Sequence, residues 1–394
     1  MLYLLFELMR DWLVRTGLYS VLGLLDQIQF RSLLAAGLSF AIVIAMGKRT
    51  IRFLVRLKIG DAGESDAEAL RAHAKSKANV PTMGGLLICG AIFTSTFLLA
   101  DLTTPSIILG LFVLLWLACV GGADDWLKLT ATRRGTGRQG LLAWEKLVFQ
   151  LGVGVLAGYF AYRYSAVEGG PALGHVLNLP FQRTFLPGAQ GLNPNLIYLS
   201  MPVFVLLAVL MIAGLSNAVN ITDGMDGLAG GISGVVSFAL LLLALIAGSE
   251  QWAQYLLVPH IARADELAVL AGAMAGACLG FLWWNAAPAQ VFMGDTGSLA
   301  LGGLIGYIAV AIRQEVVILI MSGVFLLEIF SVMLQVGYFK YTRIRTGTGK
   351  RIFRVAPYHH HLHMGGWAEN QVVARLWILA ILLCVVALAS IKLR

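Results

Sequence analysis

Charge is what this chain has least of. Asp, Glu, Lys and Arg make up 13% of its 394 residues, while 58% are hydrophobic. A water-soluble domain of that length cannot bury so much apolar side chain, so the scarcity excludes a soluble globular protein and points to a polytopic membrane protein. Cysteine is almost missing as well. Cys89, Cys119, Cys278 and Cys384 each lie inside a hydrophobic run without paired spacing, which argues against a disulfide framework or a thiolate metal site and for small packing residues. No cleavable signal peptide is evident. Residues 1–30 mix Glu7, Arg10, Asp11, Arg15 and Asp26 with apolar side chains and read as an amphipathic interfacial helix.

What is present is a series of apolar windows of ~20 residues, the length that crosses a hydrocarbon core. They fall near 31–46, 84–100, 105–122, 144–162, 197–215, 228–248, 267–284, 297–312, 315–338 and 371–391. About ten spans are predicted, all helical, because lipid offers no partner to unpaired backbone groups. Runs this long and uninterrupted exclude a β-barrel. The fold class is therefore all-α and polytopic, a single membrane domain over 1–394 with no linker or soluble appendage. The run beginning at Glu315 outlasts a ~30 Å core at ~1.5 Å per residue, and is expected to tilt, bend near Gly337 or emerge from the membrane. The Gly/Pro-rich segment from about Ser165 to Asn195 suits a short hairpin.

Loops 47–83, 123–143, 216–227, 286–296 and 337–369 fall on one side and carry eighteen Lys and Arg, against nine on the other side. That bias makes the first side cytoplasmic. The net charge of +8 then reflects topology and anionic lipid headgroups, not nucleic acid. Every chemistry-bearing motif lies on this same side.

Asp124 and Asp125 follow Gly121 and Gly122 at the end of the third window. Two carboxylates ~4 Å apart repel by ~4 kcal/mol at an effective dielectric of about 20. A divalent cation or one retained proton relieves that repulsion, although an Asp pair alone reads as a solvated helix end. Asn217, Asn220, Asp223 and Asp226 are spaced by three. Each such step drifts about 60° around a helix, so a loop-to-helix junction, bent at Gly224 and Gly227, converges them better than a continuous helix. A capped turn is the blander reading, disfavoured because the loop holds no Lys or Arg. Asp295 opens the eighth span as either a helix cap or a metal and phosphate site at a helix N-terminus. Asn285 ends the preceding span on the same side. Pro357 to His363 contains four histidines whose spacing matches no structural zinc pattern. Beside Lys350, Arg351 and Arg354 they suit diphosphate binding or proton transfer. Lys75 and Lys77, ahead of Pro81-Thr82-Met83-Gly84-Gly85, are solvated loop charges or point-charge phosphate ligands.

Taken together, Pro81 to Gly85, Asp124-Asp125, Asn217 to Gly227, Pro288 to Asp295, and Arg351 to Arg354 with Pro357 to His361 resemble the polyprenyl-phosphate N-acetylhexosamine-1-phosphate transferases. Within them the match is to the phospho-N-acetylmuramoyl-pentapeptide transferase branch, from about Leu33 to Arg394. The resemblance implies transfer from UDP-N-acetylmuramoyl-pentapeptide to undecaprenyl phosphate, giving lipid I and UMP with Mg²⁺. It also implies a membrane homodimer in the bacterial cytoplasmic (inner) membrane, with its active site on the cytoplasmic side. Asp124, Asp125, Asp295 and His359 match catalytic positions, Asp295 being the best magnesium ligand and Asp124 the group that positions or deprotonates the lipid phosphate. Lys77, Thr82, Asn220, Asp223, Asp226, Asn285, Phe292, His360 and His361 match substrate-binding positions, with Phe292 placed to stack on uracil and Lys77, His359 and His360 on the diphosphate side. Val80 and Met225 replace the family's usual Thr and Leu. The longer, acidic 61–79 loop leaves Lys75 and Lys77 as alternatives. A UDP-N-acetylglucosamine-1-phosphate transferase is the competing enzyme reading. A cation transporter, for which Glu328 would suit, is disfavoured by acids at helix ends and by the lack of an internal repeat. Direct attack by the lipid phosphate is favoured, and a two-step route through an aspartyl-phosphate stays open.

Overall fold

The computed structural model describes residues 1–56, 80–134, 140–165, 172–179, 181–186 and 191–392. Among them there is no strand, only helices and two isolated antiparallel bridges, Val176 with Tyr198 and Phe185 with Leu192, where the hairpin was expected. Ten helices carry the architecture: α1 (Ile28–Arg56), α2 (Gly85–Leu99), α3 (Pro105–Arg134), α4 (Ala143–Tyr164), α5 (Met201–Thr222), α6 (Leu228–Gly248), α7 (Leu267–Asn285), α8 (Gly294–Ala311), α9 (Gly323–Thr346) and α10 (Glu369–Lys392). Each predicted window falls on one of them, the 315–338 window also taking in a short helix ahead of α9. Eight helices among the described residues are long and apolar enough to cross a membrane; α2 is shorter, and α4 carries Glu145, Lys146 and Arg163 within its 22 residues.

Burial orders the bundle. Helices α6, α7 and α8 are largely enclosed, whereas α1, α9 and α10 bury a third or less of their apolar windows. The outward residues of α10, such as Ile378, Leu382, Val385 and Val386, are themselves apolar, as a lipid-facing helix requires. At the end of the bundle away from Asp295, Arg31 of α1 pairs with Glu266 beside α7 at 2.6 Å and 3.0 Å, and Glu266 also accepts from Asp101 N at 3.0 Å. Those extra bonds are what a buried ion pair needs to offset its desolvation.

Three local expectations are corrected. The long run from Glu315 breaks at Ser322 into a short helix, Glu315–Met321, and α9, which continues as a helix through Gly337 to Thr346. One glycine costs a helix only about 1 kcal/mol relative to Ala, too little to break it. The N-terminal segment is not one amphipathic helix. It forms Leu2–Leu8, Arg10–Thr16 and Tyr19–Leu22, divided at Met9 and at left-handed Gly17 (φ 77°), around a small cluster of Phe6, Leu13 and Leu25. Finally, α3 runs twelve residues beyond Gly122, so Asp124 and Asp125 are helical residues.

Candidate active site

Successive residues of an α-helix point about 100° apart, and Asp124 and Asp125 use that divergence. Asp125 turns to the start of α8. Its carboxylate accepts from Asp295 N at 3.1 Å, Thr296 N at 3.0 Å and Thr296 Oγ1 at 2.7 Å. It therefore caps the open amides of a helix N-terminus from a different helix. The approach is possible because α3 presents Gly121 there: a Cβ at that position would lie 2.2 Å from the Asp295 carbonyl oxygen.

Asp124, fully buried, faces the other way. It accepts from Leu141 N at 2.7 Å, from Lys128 Nζ at 2.7 Å and from Lys146 Nζ at 2.8 Å. Asp295 closes the same cluster. Lys146 lies 2.5 Å from its Oδ2, Lys128 3.4 Å from its Oδ1, and Asn220 Nδ2 donates to Oδ1 at 3.0 Å. Asp124, Asp125 and Asp295 each offer an oxygen, all within 4.8 Å of one another. Such a set of close, hard oxygen donors fits a magnesium-type cation, and Asp295 with Asp124 would hold it by exchanging their lysine contacts for the ion, while the oxygens of Asp125 stay on the α8 amides.

Helix α5 continues through Asn217 and Asn220 and ends at Thr222, so the junction expected around these residues begins only at Asp223. The 60° drift between Asn217 and Asn220 then separates their partners. Asn217 donates to Gln150 Oε1 at 2.7 Å, and Asn220 reaches Asp295 and Ser298 Oγ. Asp223 is partly buried where α5 ends. Its carboxyl is pushed up to about 7, first by burial and then by the negative charges of Asp295 and Asp125, against the opposing Gly294 amide. Asp226 accepts from Ala289 N at 3.0 Å. Asn285 bridges Gly227 N at 2.9 Å and Val291 O at 2.8 Å. Those two side chains brace the turn after α5 against the loop before α8.

Pro81 to Gly85 pairs with the same loop through Phe292 N to Pro81 O, Gly84 N to Phe292 O and Gly85 N to Met293 O, each 2.8 Å. Thr82 and Phe292 are partly exposed there. Lys77, like Lys75, lies outside the described residues. His359 is fully buried beside Gly224. His360 stacks at an angle on it with ring centres 4.2 Å apart, while His361 Nδ1 accepts from Arg354 N at 3.1 Å. Glu328 meets His359 rather than another intramembrane acid, its Oε2 3.1 Å from Nδ1.

Lys128 and Lys146 were not among the sequence candidates. The first carried a local signal, an i,i+4 spacing from Asp124 on a helix. The second is a lone ammonium in an apolar window, a residue class that marks function in a membrane.

A model of glycosyl transferase family 4 matches residues 106–313. Along nearly its whole length the chain is similar to three bacterial proteins named phospho-N-acetylmuramoyl-pentapeptide-transferase. That of Desulfotalea psychrophila is 43% identical over 93% of this chain and 94% of its own. That of Chlorobium chlorochromatii is 41% identical over 95% and 96%. That of Chloroherpeton thalassium is 38% identical over the full length of both. The family model ends before Glu328 and His359, whereas the three relatives extend across them.

Proposed function

The chain belongs to the family of phospho-N-acetylmuramoyl-pentapeptide-transferases, and from that membership we infer that it transfers phospho-N-acetylmuramoyl-pentapeptide from its UDP derivative to undecaprenyl phosphate, forming lipid I and releasing UMP. The observation that carries the reading onto this chain's own residues is the meeting of Asp124, Asp295, Lys128 and Lys146 at one point, drawn from α3, α4 and α8.

Both reactants are anions, so the site must first offset their repulsion; phosphoryl transfer asks little else of a protein than in-line placement. Asp295 and Asp124 would hold Mg²⁺, which would supply charge neutralisation and polarisation of the diphosphate. Lys128 and Lys146, now committed to those carboxylates, turn to phosphate oxygens as the substrate enters. An oxygen of the lipid phosphate attacks the β-phosphorus. The bond from that phosphorus to the bridging oxygen breaks, and the electron pair leaves on UMP. Asp124 positions the lipid phosphate or takes its proton. Asn220, Asp223 and Phe292 face the nucleotide side, with Phe292 stacking on uracil. His359 and His360 serve the diphosphate, and Lys77 is assigned the role of a further phosphate ligand. Asp125, Asp226 and Asn285 keep the turn, the loop and α8 in register.

We place the protein in the bacterial inner membrane as a homodimer with this end cytoplasmic. Family resemblance supports the dimer, and the excess of Lys and Arg on that side supports the orientation. UMP release by purified protein tests the reading. It is expected with UDP-N-acetylmuramoyl-pentapeptide plus undecaprenyl phosphate, to be lost with chelator and restored by Mg²⁺, and to fall at least ~100-fold in Asp295→Asn. Turnover with UDP-N-acetylglucosamine instead, or undiminished turnover in chelator, overturns it.

A further inference from the structure

Glu328 sits within α9 with no exposed surface, and a carboxylate so placed is costly in a membrane protein unless something holds it. What holds it is one histidine. Glu328 Oε2 lies 3.1 Å from His359 Nδ1 and accepts from the backbone N–H of the same residue at 3.2 Å. Two donors from one residue fix both the ring's rotation and its hydrogen: Nδ1 carries a proton toward the carboxylate. Nε2 is then the ring's outward nitrogen, and its orientation is decided from behind.

That outward nitrogen is buried without a hydrogen-bond partner among the described residues. It abuts the turn after α5, where a Cβ placed on Gly224 would fall 2.5 Å away. Asp223 precedes Gly224 in that turn, and the His360 ring stands 4.2 Å from that of His359. Buried imidazole nitrogens are normally satisfied. One that is not, backed by a carboxylate and directed at the turn that follows α5, the helix whose Asn220 reaches Asp295, is poised for a substrate atom.

We propose that Glu328 is a positioning residue for the transfer: it holds His359 so that Nε2 is presented at the Asp223–Gly224 turn to an oxygen of the incoming diphosphate. Glu328 itself touches no substrate, and the inference rests on the transferase reading. A side chain that merely stabilises the fold has no reason to act through one histidine. A positioning residue acts only through its histidine.

The test is a double-mutant cycle on UMP release with UDP-N-acetylmuramoyl-pentapeptide and undecaprenyl phosphate. Glu328→Leu is expected to lower kcat by ~10–100-fold, the usual cost of losing an outer partner of a functional histidine, and to leave KM for both substrates within about twofold. Glu328→Gln, whose carbonyl still accepts both N–H groups, is expected to recover most of kcat. His359→Ala with Glu328→Leu should be no slower than His359→Ala alone. If Glu328→Leu does not accumulate in the membrane, Glu328→Met, closer in length, enters the same cycle. Losses that multiply in the double variant, an unchanged kcat in Glu328→Leu, or a Gln variant as slow as Leu each overturn the proposal. Wild-type protein that releases no UMP counts against the transferase reading itself; a turning-over wild type with multiplying variants counts against Glu328 alone.

Discussion

The Lys146 ammonium lies 2.5 Å from Asp295 Oδ2 and 2.8 Å from Asp124 Oδ2, so a single cation from α4 joins carboxylates of α3 and α8. A divalent ion drawn to the same two carboxylates competes with it. Lys146→Met is therefore expected to tighten Mn²⁺ binding severalfold, measured by electron paramagnetic resonance of free Mn²⁺. The same change removes a phosphate-facing charge, and kcat should fall by ~10²–10³, the scale for losing one donor to a developing anion. Without metal, the variant leaves Lys128 as the one ammonium shared by Asp124 and Asp295, so its melting temperature should drop in chelator and recover with Mg²⁺. Weaker Mn²⁺ binding in the variant would show that Lys146 does not compete for the site.

Gly121 and Gly122 offer an internal control for how α3 meets α8. A Cβ at Gly121 would lie 2.2 Å from the Asp295 carbonyl oxygen, whereas one at Gly122 meets the Thr296 side chain at ordinary contact distance, Oγ1 at 3.7 Å and Cγ2 at 4.0 Å. Backbone cannot give way as a side-chain tip can, so Gly121→Ala must separate the helices and lengthen the Asp125 cap. Misplacement of reacting groups by about 1 Å can cost ~100-fold in rate, and a loss of that order in UMP release is expected. Gly122→Ala should stay near wild type in both rate and melting temperature. Equal behaviour of the two variants would contradict the close approach.

How much of this was legible from sequence depended on range. The apolar windows located every long helix, because membrane length is a local property, and the acids stood out as exceptions within them. Partners were not local. Asp125 caps α8 across 170 residues, and Glu328 holds a histidine 31 residues away. No periodicity encodes either. Lys128 falls in a loop if α3 stops near Gly122, as its apolar window predicts; once the helix continues, its i,i+4 relation to Asp124 is plain. Lys146 disappeared into a hydrophobic average. Asp226 and Asn285, expected on the substrate side, also hydrogen-bond backbone of the turn and loop, contacts set by a geometry that sequence spacing does not reveal.

Asp223 should impose a pH dependence on the metal-free protein. Its carboxyl is pushed up to about 7 from the ordinary 3.8, first by burial and then by Asp295 and Asp125. The folded state thus keeps a proton that the unfolded chain releases. Stability contributed by that proton is fully present below about pH 4 and is lost as pH rises through about 7. Melting temperatures in chelator are expected to fall across this interval in wild type and to fall less in Asp223→Asn, the difference between the two curves isolating this group from the histidines. Parallel curves would place the Asp223 proton elsewhere.

Direct attack by the lipid phosphate and a covalent aspartyl-phosphate differ in what Asp295 must do. As a nucleophile it would need an oxygen free to approach the β-phosphorus. Instead Oδ1 accepts from Asn220 at 3.0 Å with Lys128 3.4 Å away, and Oδ2 is held by Lys146 at 2.5 Å. Lone pairs occupied by donors are poorly nucleophilic, and a cation bound there would withdraw them further. Protein incubated with substrate labelled at the β-phosphate, Mg²⁺ and no lipid acceptor should therefore carry no label after acid quench and gel filtration, and should release no stoichiometric burst of UMP. Label retained on wild type and lost in Asp295→Asn would establish the two-step route and would require Asn220 with Lys128, or Lys146, to release one oxygen of Asp295 before chemistry begins.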